Sequence, residues 1–165
     1  MIRWLIVLAI LIGACGSPDR PGQANLVLPP GPPLAGAVLG ATRDEWVAAR
    51  GEPAEIDDFD RFNDVEVDWT AGEPRAQHLE LIFDTEQPVS EARERAKFLL
   101  PRDARAVRIY AGPGGQSVEV FASQALADAL AAGLFGSEAP GTFVMVADRG
   151  SPRTNRVVIA VGNRP

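Results

Sequence analysis

The chain has 165 residues, 46% of them hydrophobic, and a formal charge of −6 from 16 basic and 22 acidic side chains. This length suits one ordinary domain. The acidity excludes recognition of nucleic acid or an anionic lipid surface by charge alone.

Met1, Ile2 and Arg3 open the chain with a positive charge, followed by the apolar run Trp4 to Ile12 and then Gly13-Ala14-Cys15. Charge, apolar core and small residues in that order predict a secretory signal over residues 1–14. A membrane-spanning helix needs roughly 20 apolar residues, and this run gives way to a Gly, Ser, Pro, Asp and Arg stretch well short of that. Ile12-Gly13-Ala14-Cys15 resembles the lipobox of bacterial lipoproteins, with Ile12 where leucine is commoner. The resemblance implies cleavage before Cys15, lipid on its thiol, and an extracytoplasmic domain bound to a membrane through that lipid. Gly16 and Ser17 lack the aspartate that often signals inner-membrane retention, so the resemblance implies the outer membrane in an organism with two. Cleavage removes Arg3 and no acid, leaving a net charge of −7. No twin-arginine pattern precedes the apolar run, so export is expected in the unfolded state, and no cofactor is expected.

Residues 15–38 carry Pro18, Pro21, Pro29, Pro30, Pro32 and Pro33, which fix φ and remove hydrogen-bond donors. They read as a semi-rigid tether rising roughly 60 Å at ~3.1 Å per residue. A single domain is expected over 39–165. Its first helix starts at the capping box Thr42-Arg43-Asp44-Glu45, buries Trp46 and Val47, and stops at Gly51 and Pro53. Val65, Val67 and Trp69 alternate with Glu66 and Asp68, and Leu79, Leu81 and Phe83 with His78, Glu80 and Ile82, which predicts a hairpin with one buried face. A second helix is predicted from about Pro88 to Leu100, with Val89, Ala92, Ala96 and Leu99 on one stripe. Arg105 to Tyr110 and Ser117 to Phe121 read as strands joined by Gly112-Pro113-Gly114-Gly115. Ser123 then caps a helix bearing Leu126, Leu130 and Leu134. Thr142 to Ala147 and Asn155 to Val161 form a last hairpin, apolar on both alternating sets, as for central strands or for a sheet with a second apolar contact. The sum is an α+β fold: an antiparallel sheet of about six strands with helices on one face, in repeated helix-hairpin units.

Leu39-Gly40-Ala41-Thr42-Arg43-Asp44-Glu45-Trp46, then Gly51-Glu52-Pro53 and a hairpin, resembles the helix-plus-hairpin units of SmpA/OmlA outer-membrane assembly lipoproteins and of β-lactamase-inhibitor-protein-like domains. The similarity covers about residues 39–83. It carries over no functional residue.

Glu52, Glu55, Asp57, Asp58, Asp60, Asp64, Glu66 and Asp68 crowd together with only Arg61 opposing. From Asp58, the positions where a calcium loop needs glycine and a bidentate glutamate hold Asn63 and Trp69, so the pattern predicts a solvated acidic loop or a docking patch for a basic partner. Asp57, Asp58, Asp60 and Asp64 are the candidate contacts. His78, the sole histidine, is too isolated for a zinc site. Ser123 is accounted for as a cap, and the glycine-rich turn joins strands instead of opening a phosphate-binding helix. No catalytic residue and no metal ligand are assigned. The expected role is a non-catalytic module that contacts another envelope protein. The alternatives are a small-ligand or lipid-binding protein using a sheet face around Met145 and Val158, and an enzyme with a cleft near His78 or the acidic cluster.

Overall fold

A computed structural model describes residues 31–56, 58–147 and 150–162. The signal segment, Cys15, the tether up to residue 30 and Asp57 lie outside the described residues.

Helix α1 (Arg43–Arg50) begins as its capping box requires. The Glu45 amide donates to Thr42 Oγ1 at 3.3 Å, and the Thr42 amide donates to Glu45 Oε2 at 2.7 Å. Gly51, at φ 84°, ends it by donating its amide to the Val47 carbonyl at 2.8 Å, a left-handed turn that costs a residue with a Cβ. A two-turn helix is marginal alone. Trp46 anchors this one, fully buried, with its indole N–H donating to the Val38 carbonyl at 3.1 Å.

Four antiparallel strands follow, β1 (Ala54–Ile56), β2 (Phe59–Phe62), β3 (Val65–Trp69) and the long β4 (Ala76–Pro88). Helix α2 (Val89–Ala96) and a 3₁₀ turn at Lys97–Leu99 lead to the hairpin β5 (Arg105–Ala111) and β6 (Ser117–Ala122). Helix α3 (Gln124–Ala129) and a second 3₁₀ turn at Ala132–Phe135 precede β7 (Thr142–Val146) and β8 (Arg153–Val161). All eight strands form one antiparallel sheet in the order β1-β2-β3-β4-β8-β7-β6-β5.

The α+β class and the antiparallel sheet agree with expectation; the strand count is eight, not about six. The extra pair lies in the acidic segment, where β1, β2 and β3 form a meander instead of a loop. Asp60 occupies an inward position between Phe62 and the β1–β2 turn, so apolar alternation is broken where the strand is. Asn63, at φ 56°, supplies the left-handed turn residue that joins β2 to β3. The first helix is therefore followed by four strands, and the last two helices by one hairpin each.

Buried side chains of all three helices meet one face of the sheet in a single cluster. Trp46, Ala92, Ala96 and Leu126 pack there with Leu79, Leu81, Phe143, Met145, Val157 and Ile159. Each large apolar side chain so buried contributes about 1.5–3 kcal/mol. On the opposite face Val118, Val120, Val144, Val146 and Ala160 form a second cluster. Both open options for the last hairpin are thus realised, since β8 sits between β4 and β7 and the pair has apolar contacts on both faces. Leu34, Ala37 and Val38, expected in the tether, pack against the main cluster.

Helix α3 is shorter than its leucine spacing predicts. It ends at Ala129, Leu134 turns outward in the 3₁₀ turn, and Phe135 takes the buried place. Its start is doubly held: Ser123 Oγ accepts the Leu126 amide at 3.0 Å and donates to Asp103 Oδ1 at 2.6 Å, while Asp103 Oδ2 accepts the Ala125 amide at 3.0 Å. Gly141 (φ 83°) closes against the same corner, where a Cβ would lie 2.1 Å from the Ser123 carbonyl oxygen.

Burial alone raises the Asp103 pKa, but hydrogen bonds from Ser123 and from the Ala125, Gln124 and Asp103 amides outweigh it and hold the carboxyl below its ordinary 3.8. A folded-state pKa below the unfolded value means the stabilisation is complete above that value and is lost as pH falls through the folded one. Urea midpoints measured from pH 7 down to pH 2 should therefore fall more gently at the acid end in Asp103→Asn than in the parent chain, and the variant should start lower at pH 7.

Candidate interaction site

The acidic candidates divide sharply once folded. Asp60 is 6% exposed; its Oδ2 accepts Arg43 Nε at 2.6 Å and the Trp69 indole N–H at 3.2 Å. Trp69 in turn meets Trp46 and Phe62 edge-on, with ring centroids 6.4 Å away in each case. Asp60 thus joins α1 to the β2–β3 hairpin and is turned away from solvent. Asp64 accepts Arg50 Nη1 at 3.2 Å, and that guanidinium lies over the Trp46 and Phe98 rings. Of the four candidates, Asp58 is exposed and makes no ion pair among the described residues.

His78 lies opposite Asp68 on β3 and Ala160 on β8, and Glu80 lies opposite Glu66, so the alternation expected for the outer face holds. The carboxylates there are engaged by other groups: Glu80 pairs with Arg156, Glu66 with Arg61 at 2.8 Å, and Asp68 accepts Gln77 Nε2 at 3.1 Å. No three His, Cys, Asp or Glu side chains converge on a metal-sized space among the described residues. Ser123 and Asp103 form a close pair, yet both are spent on the start of α3 and His78 belongs to another strand.

Met145 and Val158 do not share a face. Met145 pairs with Ile159 and lies in the main core, whereas Val158 pairs with Val146 on the other side. An open groove of about 600 Å³ lies beside residues 35–38, with Arg50, Lys97, Phe98 and Arg102 on its walls, and a more polar one of about 610 Å³ lies at Asp64, Asp84 and Arg95. Phe98 is 55% exposed in the first.

Strand β5 is the feature whose position sequence reasoning missed. It ends the sheet, and every residue from Arg105 to Ala111 is exposed, including Val107 at 60% and Ile109 at 65%. Pairing puts Arg108 and Tyr110 on the face of Val120 and Val118, and Ile109 on the face of Glu119. The ladder slips between Ala106 and Arg108, leaving Val107 as an extra residue. Strand propensity was legible in this segment; an edge address is a property of the whole sheet order.

Asp60→Ala should cost about 1–3 kcal/mol, because it removes the acceptor of the Trp69 indole N–H at a part-buried site beside the Trp46 and Phe62 rings. Asp58→Ala should change stability by less than about 0.5 kcal/mol, as surface substitutions do. Urea denaturation of the two variants measures the contrast. Compared with known proteins, the chain matches no family model, no curated protein and no solved structure.

Proposed function

We propose that the chain is an envelope lipoprotein, anchored through lipid on Cys15 after removal of residues 1–14, whose domain is a non-catalytic module that contacts another envelope protein. The carrying observation is the order Arg3, apolar run, Ile12-Gly13-Ala14-Cys15, with the chain's only thiol at the lipobox position. More than one acyl chain is needed for stable anchoring, as bacterial lipoproteins carry. With two membranes, the residues after Cys15 favour the outer one. The prolines of residues 16–30 hold the domain off the lipid, and its acidity keeps it from lying on an anionic surface.

Support for an interaction role comes from the surface. Three of the five large apolar side chains exposed among the described residues lie on β5. Asp58 keeps the acidic segment available to a basic partner, while Asp60 and Asp64 serve internal ion pairs. The successions α2-β5-β6 and α3-β7-β8 support two copies of one helix-hairpin unit, the layout of the lipoproteins that residues 39–83 resemble.

A second reading, binding of a small anionic amphiphile, rests on the groove at Phe98, where apolar walls meet the cations Arg50, Lys97 and Arg102. Calorimetric titration of the domain with a lysophospholipid supports that reading if heat is released at a stoichiometry of one and Phe98→Ala removes it.

Metabolic labelling with palmitate and membrane fractionation test the anchor. The parent chain should carry label and sediment with membranes; Cys15→Ser should lose the label and appear in the soluble fraction. An unmodified Cys15 in the mature product, or retention of residues 1–14, overturns the proposal. Crosslinked pull-down from membranes with Asp57→Asn/Asp58→Asn tests the acidic segment, which is removed from the interface if the same partners are recovered.

A further inference from the structure

We infer that β5 is a docking edge that accepts an extended, acidic segment of a partner protein as a ninth strand. The inference deepens the interaction reading above and rests on it. An edge strand leaves alternate amides and carbonyls unpaired, and proteins usually blunt such an edge with charge, a bulge or a covering element. Here the bulge at Val107 and the arginines are present, but the edge remains seven residues long with Val107, Ile109 and Tyr110 exposed. Protection against pairing does not account for apolar side chains on both faces of the strand. A pairing edge with side-chain contacts above and below the backbone does.

Charge selects the occupant. Arg102, Arg105 and Arg108 fall within seven residues of a chain whose formal charge is −6. Arg108 is shared with Glu138 at 3.3 Å, whereas Arg102 and Arg105 make no ion pair among the described residues. An acidic strand laid along β5 meets Arg105 and Arg108 cross-strand, where opposite charges stabilise, and Arg102 just beyond the end of the ladder. A second copy of β5 does not fit, because antiparallel self-pairing centred on Val107 or Arg108 sets Arg108 opposite or diagonal to its own copy. The chain's own residues 16–30 do not fit either. They carry four prolines, which lack ladder donors, and one acid, Asp19, beside Arg20.

The test uses the full mature chain in detergent micelles and a seven-residue peptide alternating glutamate and valine. Binding is followed by fluorescence anisotropy, and its location by amide hydrogen exchange. The peptide should bind and slow exchange in residues 105–111. The same peptide N-methylated at alternate amides should not bind, since it cannot complete a ladder. A lysine and valine peptide should bind at least about tenfold more weakly, and Arg102→Glu/Arg105→Glu should reverse the order of the two peptides. These arginines are exposed, so the variant should keep its urea midpoint, which verifies that it folds. Protection elsewhere, equal binding of the methylated peptide, or indifference to charge reversal overturns the inference. So does a concentration-dependent dimer in sedimentation that Ile109→Lys abolishes, because the occupant is then a second copy. None of these readouts depends on export or lipid, so failure here is distinguishable from failure of the palmitate labelling.

Discussion

Everything in the fold depends on the pairing of β4 with β8. Leu79 lies opposite Ile159 and Leu81 opposite Val157, all four buried completely. This junction joins two antiparallel meanders, β1 to β4 and β5 to β8, that otherwise have separate strand ladders. Helix α2 crosses from the end of β4 toward the far edge, placing Ala92 and Ala96 against the same core. Small residues there let the helix backbone approach the sheet, and the absence of larger side chains is compensated by Trp46, Phe83 and Leu99 around it.

The two faces of the sheet solve different problems. Under the helices, apolar packing is continuous from Phe62 to Phe143. On the other face the surface is divided, with charged pairs such as Arg61 with Glu66 and Glu80 with Arg156 toward β2–β4, and valines toward β6–β8. Side-chain alternation makes this division unavoidable, because any strand that buries one set of residues must assign the other set to the opposite face.

Local signals in the sequence were sufficient where a short-range interaction decides the structure. Thr42 with Glu45, Gly51 after α1 and Ser123 before α3 all act within a few residues, and each stands where its chemistry indicates. The sequence was silent where the partner is distant. Asp60 looked like one acid among eight; its significance comes from Arg43, 17 positions earlier, and Trp69, nine positions later. Leu134 had helical spacing, yet α3 ended before it, and the buried position went to Phe135. The separation of Met145 from Val158 likewise follows from the β7–β8 register, which neither strand specifies alone. Of the site, the arginines and apolar residues of β5 were visible as letters, but their exposure follows from which strand ends the sheet.

Among the described strands, β8 comes last in the sequence yet is internal in space, held between β4 and β7. Neither meander completes its side of the core without residues 153–161, because Val157 and Ile159 lie opposite Leu81, Leu79 and Met145 in the main cluster. A chain that lacks this strand leaves β4 and β7 as two unpaired edges, each a template for pairing with another chain.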